Sequence, residues 1–174
     1  MWFTSSMENP LKVLYEKVHG RTDALELKDA ERSQLLLDID KVWMGDNMAE
    51  GGYELIMNLQ KLPEKQAALE MTSLLAPYLH VSLEQRLTLA GISVGELTPN
   101  YATPSGVRGM LRSGSPILLI SNESPDDFHR PIEIARAIGE MIYGRNDESV
   151  IAFVKAFDIE RVLGKDTRFG ELEQ

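Results

Sequence analysis

Arg136 and Glu140 stand four residues apart in Ile134-Ala135-Arg136-Ala137-Ile138-Gly139-Glu140-Met141-Ile142-Tyr143-Gly144, whose apolar spacing predicts a helix. Residues four apart share one helical face. At that spacing an H-E-x-x-H helix holds two zinc-binding histidines, with a Glu general base beside the first. The side chains present here supply different chemistry. Arginine is permanently cationic and repels a metal ion. Ala137, beside it, has no group to take a proton from water. Glu140 offers one carboxylate, and Glu148, eight residues on, is the one glutamate that could join it. A catalytic zinc takes three protein ligands and an activated water. Neither a metal nor another cofactor is therefore expected, and no residue is assigned a catalytic role. Arg136 and Glu140 can form an ion pair, which contributes about 0.2–0.5 kcal/mol on an exposed helix face.

The elements that must position these residues follow from hydrophobic periodicity and its punctuation. Pro10 starts a helix carrying Leu11, Leu14, Tyr15 and Val18, and Gly20 closes it. A second helix is predicted from near Thr22 to Trp43, with Gly45 ending it and Asp46 or Asn47 capping the next. Gly51-Gly52 weakens the start of that third helix, which carries Leu55, Ile56, Leu59 and Leu62. Pro63 begins a fourth and Pro77 stops it. Ser82 with Gln85 forms a capping box for a short helix ending at Gly91. Ile92 to Leu97 reads as a strand. Val107 to Arg112, the turn Ser113-Gly114-Ser115, and Pro116 to Ser121 read as a β-hairpin. Helices then run from about Phe128 to Tyr143 and from Asn146-Asp147 to near Gly164. The fold class is α+β: a helical N-terminal half followed by a small hairpin sheet backed by helices. The expected division is a helical segment 1–80, a second unit 81–164 and a polar tail 165–174.

From Ser82 to Phe157 the chain resembles the ImmA/IrrE-like metallopeptidases, small zinc proteases found beside repressors in phages, mobile elements and stress circuits. Gly106-Val107-Arg108-Gly109-Met110-Leu111 is similar to the first hairpin strand of that family, and Pro116-Ile117-Leu118-Leu119-Ile120-Ser121-Asn122 to the second. Arg130-Pro131-Ile132-Glu133-Ile134-Ala135 leads into the helix as the family's R-x-F-T-L-A does, and Gly139 falls on the glycine between the two histidines. The resemblance implies a zincin-like frame and places Arg136 and Glu140 at the ligand positions and Ala137 at the general base. Glu148 is the nearest match to the family's third ligand, one residue out of register. His129, Glu148 and Tyr143 are then the residues expected around a degenerate cleft. In this family, active members inactivate repressor-type regulators. The resemblance therefore implies a protein target and a phage, mobile-element or stress context.

Composition bounds the alternatives. Hydrophobic residues at 43% and charged residues at 26% suit a globular domain with a real core. A net charge of −9 disfavours direct nucleic-acid binding, since phosphates are met mainly by Lys and Arg. The absence of cysteine excludes disulfides and thiolate zinc sites. No apolar run approaches the roughly 20 residues of a membrane span, and Met1-Trp2-Phe3-Thr4-Ser5-Ser6 lacks a signal-peptide pattern, so a cytoplasmic location is expected. His19, His80 and His129 lie far apart, none with a second ligand at metal spacing.

Three functions remain open. The first is a catalytically inactive ImmA/IrrE-like protein that binds a repressor-type regulator or host factor, its N-terminal helices offering a partner or homodimer surface. The second is an atypical hydrolase using Glu140, Glu148, His129 and Arg136. The third is an acidic decoy that occupies the basic site of a nucleic-acid-binding protein.

Overall fold

Six α-helices and three strands make up the described part of a computed structural model, which covers residues 29–45, 48–98, 106–121 and 130–163. The helices are α1 (Asp29–Trp43), α2 (Gly52–Gln60), α3 (Glu64–Leu75), α4 (Leu83–Ala90), α5 (Arg130–Tyr143) and α6 (Asp147–Ala156). Strands β1 (Ser93–Glu96), β2 (Val107–Arg112) and β3 (Ser115–Ile120) form one sheet between α4 and α5, and a π-helical turn (Ile159–Leu163) follows α6. The chain is an α+β protein. The helix expected from Pro10 lies outside the described residues, as do the polar tail and His129.

Local chemistry sets several element ends. Ser82 Oγ accepts a hydrogen bond from the Gln85 amide at 3.2 Å, and Gly91 closes α4 at φ 110°, so both predicted limits are met. Asn146 Oδ1 caps α6 by accepting from the Ser149 amide at 3.2 Å. Ser113 and Gly114, with φ 52° and 82°, make the two-residue hairpin turn of left-handed residues. The start of α2 departs from expectation. Gly51, at φ 79°, is its N-cap, and no side chain caps it. Gly52 begins the helix because a Cβ there would lie 2.3 Å from the Gly91 carbonyl and 2.6 Å from Pro116 Cδ. Gly52 therefore lets α2 approach Pro116 of β3 closely, while Gly51 supplies the left-handed cap. Pro77 does not simply end α3; the chain continues through a 3-10 turn at Ala76–Tyr78.

The sheet order is β1-β3-β2, with β1 parallel and β2 antiparallel to the central strand. Ser93 pairs with Ile117 and Glu96 with Ile120, while Val107 pairs with Ile120 and Arg112 with Ser115. One face carries Val107, Leu118 and Ile120, which share an apolar cluster with α2 to α6 and the π turn. Ile117 and Leu119 point the other way and meet Leu35, Ile39, Val42 and Trp43 of α1. Being covered on both faces explains why β3 reads Pro-Ile-Leu-Leu-Ile without polar alternation. Helices before residue 80 and elements after it share the larger cluster, with Ile56, Leu59, Ala67 and Met71 beside Leu87, Ile134 and Phe153. Among the described residues, no helix is long and apolar enough to cross a membrane.

Candidate functional site

Twelve of the fourteen residues of α5 are buried, including three charged ones, Arg130, Glu133 and Arg136. Arg130 donates to the Ser121 carbonyl at 3.0 Å and so ties the start of the helix to the end of β3. One and two turns later, Arg136 lies between two carboxylates. Its Nε donates to Glu133 Oε1 at 2.8 Å and its Nη1 to Glu140 Oε1 at 2.5 Å, while Nη2 reaches the Val107 carbonyl of β2 at 3.4 Å. The side chains of Glu133, Arg136 and Glu140 are 0%, 4% and 20% exposed, so the solvent edge of the triad is at Glu140. Glu133 Oε2 is buried and accepts no hydrogen bond.

Burial by itself pulls the Arg136 guanidinium down, but the charges of Glu133 and Glu140 and their hydrogen bonds outweigh it and hold the group above its ordinary value. On β2, Arg108 is lowered, chiefly by burial and further by the Arg136 cation, with Glu140 opposing. The expected exposed ion pair is thus a buried network. Glu133 and Arg108 were not singled out from the sequence. The one signal for Glu133 was its spacing, three residues before Arg136 on the same face.

Ala137 is fully buried against β2. A Cβ at Gly109 would lie 2.9 Å from Ala137 Cβ and 3.1 Å from its carbonyl, so helix and strand meet here without room for a larger side chain. This face of α5 packs against β2 at Ala137, and at Arg136 it meets the Val107 carbonyl. Gly139 sits where α5 meets α6, 3.2 Å from Phe153 Cδ1 at its hypothetical Cβ.

Of the other residues expected around a cleft, Tyr143 and Glu148 have partners or surroundings of their own. The Tyr143 hydroxyl donates to the Leu62 carbonyl at 3.0 Å, and its ring meets Phe153 edge-on at 6.4 Å. Burial raises the Tyr143 phenol, with a further push from the Glu64 charge. Glu148 is exposed in the first turn of α6. His129 lies outside the described residues. Among the described residues, no three of His, Cys, Asp and Glu gather as a metal-ligand set.

Compared with family models, curated proteins and solved structures, the chain matches none. Fold and site define an α+β protein whose most chemically dense helix face is a buried, ion-paired contact between α5 and β2.

Proposed function

We propose that this chain is a catalytically inactive, ImmA/IrrE-like protein with a zincin-like frame, acting in the cytoplasm by binding another protein. The target class is a repressor-type regulator or host factor, and the role is regulation or inhibition in a phage, mobile-element or stress circuit. One observation carries the reading. The position assigned to the first metal ligand holds Arg136, buried between two carboxylates, and the position of the base holds Ala137, packed against Gly109. A cation fixed in a low-dielectric site repels a second cation. Exposed apolar side chains supply candidate contact surface: Leu36 and Leu37 on α1, Met44 just past its end, and Tyr53 and Met57 on α2.

The test combines metal analysis with affinity capture from the host and mass spectrometry. The expected outcome is sub-stoichiometric zinc and a captured regulator that stays intact. Stoichiometric zinc together with cleavage of the captured protein, both lost in Glu140→Ala, would sink the reading.

A further inference from the structure

The two faces of the sheet are covered unequally. Toward α5, Leu118 and Ile120 join an apolar cluster built from α2 to α6 and the π turn, in which Met71, Leu87, Ile134 and Phe153 have no exposed surface. On the opposite face the described cluster is Leu97, Ile117 and Leu119, and α1 is the helix that lies on it. No other described helix makes a contact with α1 comparable to those of β1 and β3.

What α1 buries is shallow. Leu35, Ile39, Val42 and Trp43 are only partly buried, and Leu36 and Leu37 are 56% and 55% exposed. From 32 to 43 the buried residue is Asp38, so the helix is anchored by a polar group. Asp38 Oδ2 accepts from the Thr98 amide at 2.7 Å, and Oδ1 accepts from Gln34 Nε2 at 3.2 Å. A second fastening joins Asp40 to Arg112, whose guanidinium lies 4.9 Å over the Trp43 ring. Those two charged side chains are 49% and 38% exposed, and ion pairs in water contribute little.

Packing beneath α1 is also incomplete. Val42 meets the sheet at Gly95, where a Cβ would lie 2.1 Å from Val42 Cγ2. A cleft of 180 Å³ opens between α1 and β1, lined by Asp38, Lys41, Val94 and Glu96 among others. A second, of 300 Å³, opens between α1 and β2, lined by Leu36, Ile39, Met110 and Leu111 with the Asp40–Arg112 pair. Side chains that face a cleft forgo the dispersion contacts of a filled interior.

We infer that α1 is a separable cover, which detaches from the sheet as a unit while α2 to α6 and the three strands stay folded. Detachment breaks no ladder hydrogen bond, since the strands pair only with one another. It leaves the larger cluster intact, because none of the described members of that cluster belongs to α1. It uncovers Leu97, Ile117 and Leu119, an apolar face that the closed molecule hides. Sparse burial makes such an opening cheaper than global unfolding.

Native-state hydrogen exchange of the full chain, followed across sub-denaturing urea, tests this. After correction for intrinsic rates, α1 amides are expected to exchange at least about tenfold faster than those of β3 and α5. That exchange should accelerate with urea, as an opening that exposes surface does. Met71→Ala, in the larger cluster, then separates a detachable helix from a single cooperative unit. It destabilises the closed and the α1-detached states alike, so exchange in α5 should rise at least about tenfold while α1 is unchanged. Equal acceleration of both overturns the inference. So do wild-type α1 amides as protected as those of β3, or fast α1 exchange without urea dependence, which is fraying; neither result requires the variant to fold. None of these readouts depends on metal content or on capture of a regulator, so this inference and the proposed function fail separately.

Discussion

Replacing Arg136 by Met should be among the most damaging single changes in this protein. The substitution keeps much of the side-chain volume and removes the cation. It leaves Glu133, whose side chain has no exposed surface, with neither of the contacts its Oε1 now accepts from Arg136 Nε and Nη2 at 2.8 and 2.7 Å. Oε2 already has no partner, so the whole carboxylate would then be buried and uncompensated. Removing one member of a buried ion pair costs about 3–5 kcal/mol. Glu140 contributes less to the loss, because at 20% exposure water can replace its partner. For a chain of this length about 3–5 kcal/mol corresponds to a fall in Tm on the order of 10 °C. Urea denaturation followed by circular dichroism measures it. The diagnostic comparison is Arg136→Met with Glu133→Leu, which removes both charges and should recover most of the loss, since buried pairs exchange for apolar residues at little net cost. A single Arg136→Met within about 1 kcal/mol of wild type would refute the reasoning, because it would make the triad energetically equivalent to a solvated surface pair.

Two further outcomes are expected. Gly109→Ala drives a Cβ to 2.9 Å from Ala137 Cβ and 3.1 Å from its carbonyl, so overpacking should cost about 1–3 kcal/mol in a thermal melt; no loss would mean that α5 and β2 separate easily. Ser149 Oγ donates to Glu64 Oε2 at 2.7 Å, and that bond first, then a backbone hydrogen bond, holds the Glu64 carboxyl below its ordinary value. A depressed folded value stabilises above the unfolded carboxyl value of about 4.3 and loses that contribution as pH falls through the folded one. The stability gap between wild type and Ser149→Ala should therefore be present at neutral pH and close in acid, and a gap that widens in acid would contradict this.

Capping and turns were legible because their causes lie within a few residues. Ser82, Gly91, Ser113-Gly114 and Asn146 act on their immediate neighbours, and the structure places each element end accordingly, except that Ser115, expected in the turn, already pairs with Arg112 in β3. The same locality misled at Gly51-Gly52. Helix propensity marks the pair as a weakness, whereas Gly52 is required by Gly91 and Pro116, which are distant in sequence. The sequence also pointed to the Arg136–Glu140 pair but not to its depth, since exposure is a property of what packs on a helix.

Taken alone, the order of residues determined that this is an α+β chain with a hairpin and a following amphipathic helix. It also determined that two of the three H-E-x-x-H-spaced positions, Arg136 and Ala137, offer no metal ligand, while Glu140 offers a single carboxylate. Side-chain type and spacing suffice for that, because an arginine or an alanine lacks a lone pair to offer in any fold. Tertiary structure decided what those positions do instead. Val107 lies 29 residues from Arg136, and Leu62 lies 81 residues from Tyr143. Only when the sheet docks on α5 does Arg136 leave water, pair on both sides and reach a strand carbonyl. Only the β1-β3-β2 order places β2 at an edge of the sheet among the described residues. Both outcomes follow from long-range packing, which fixes dielectric and neighbours, and no short window of sequence contains either.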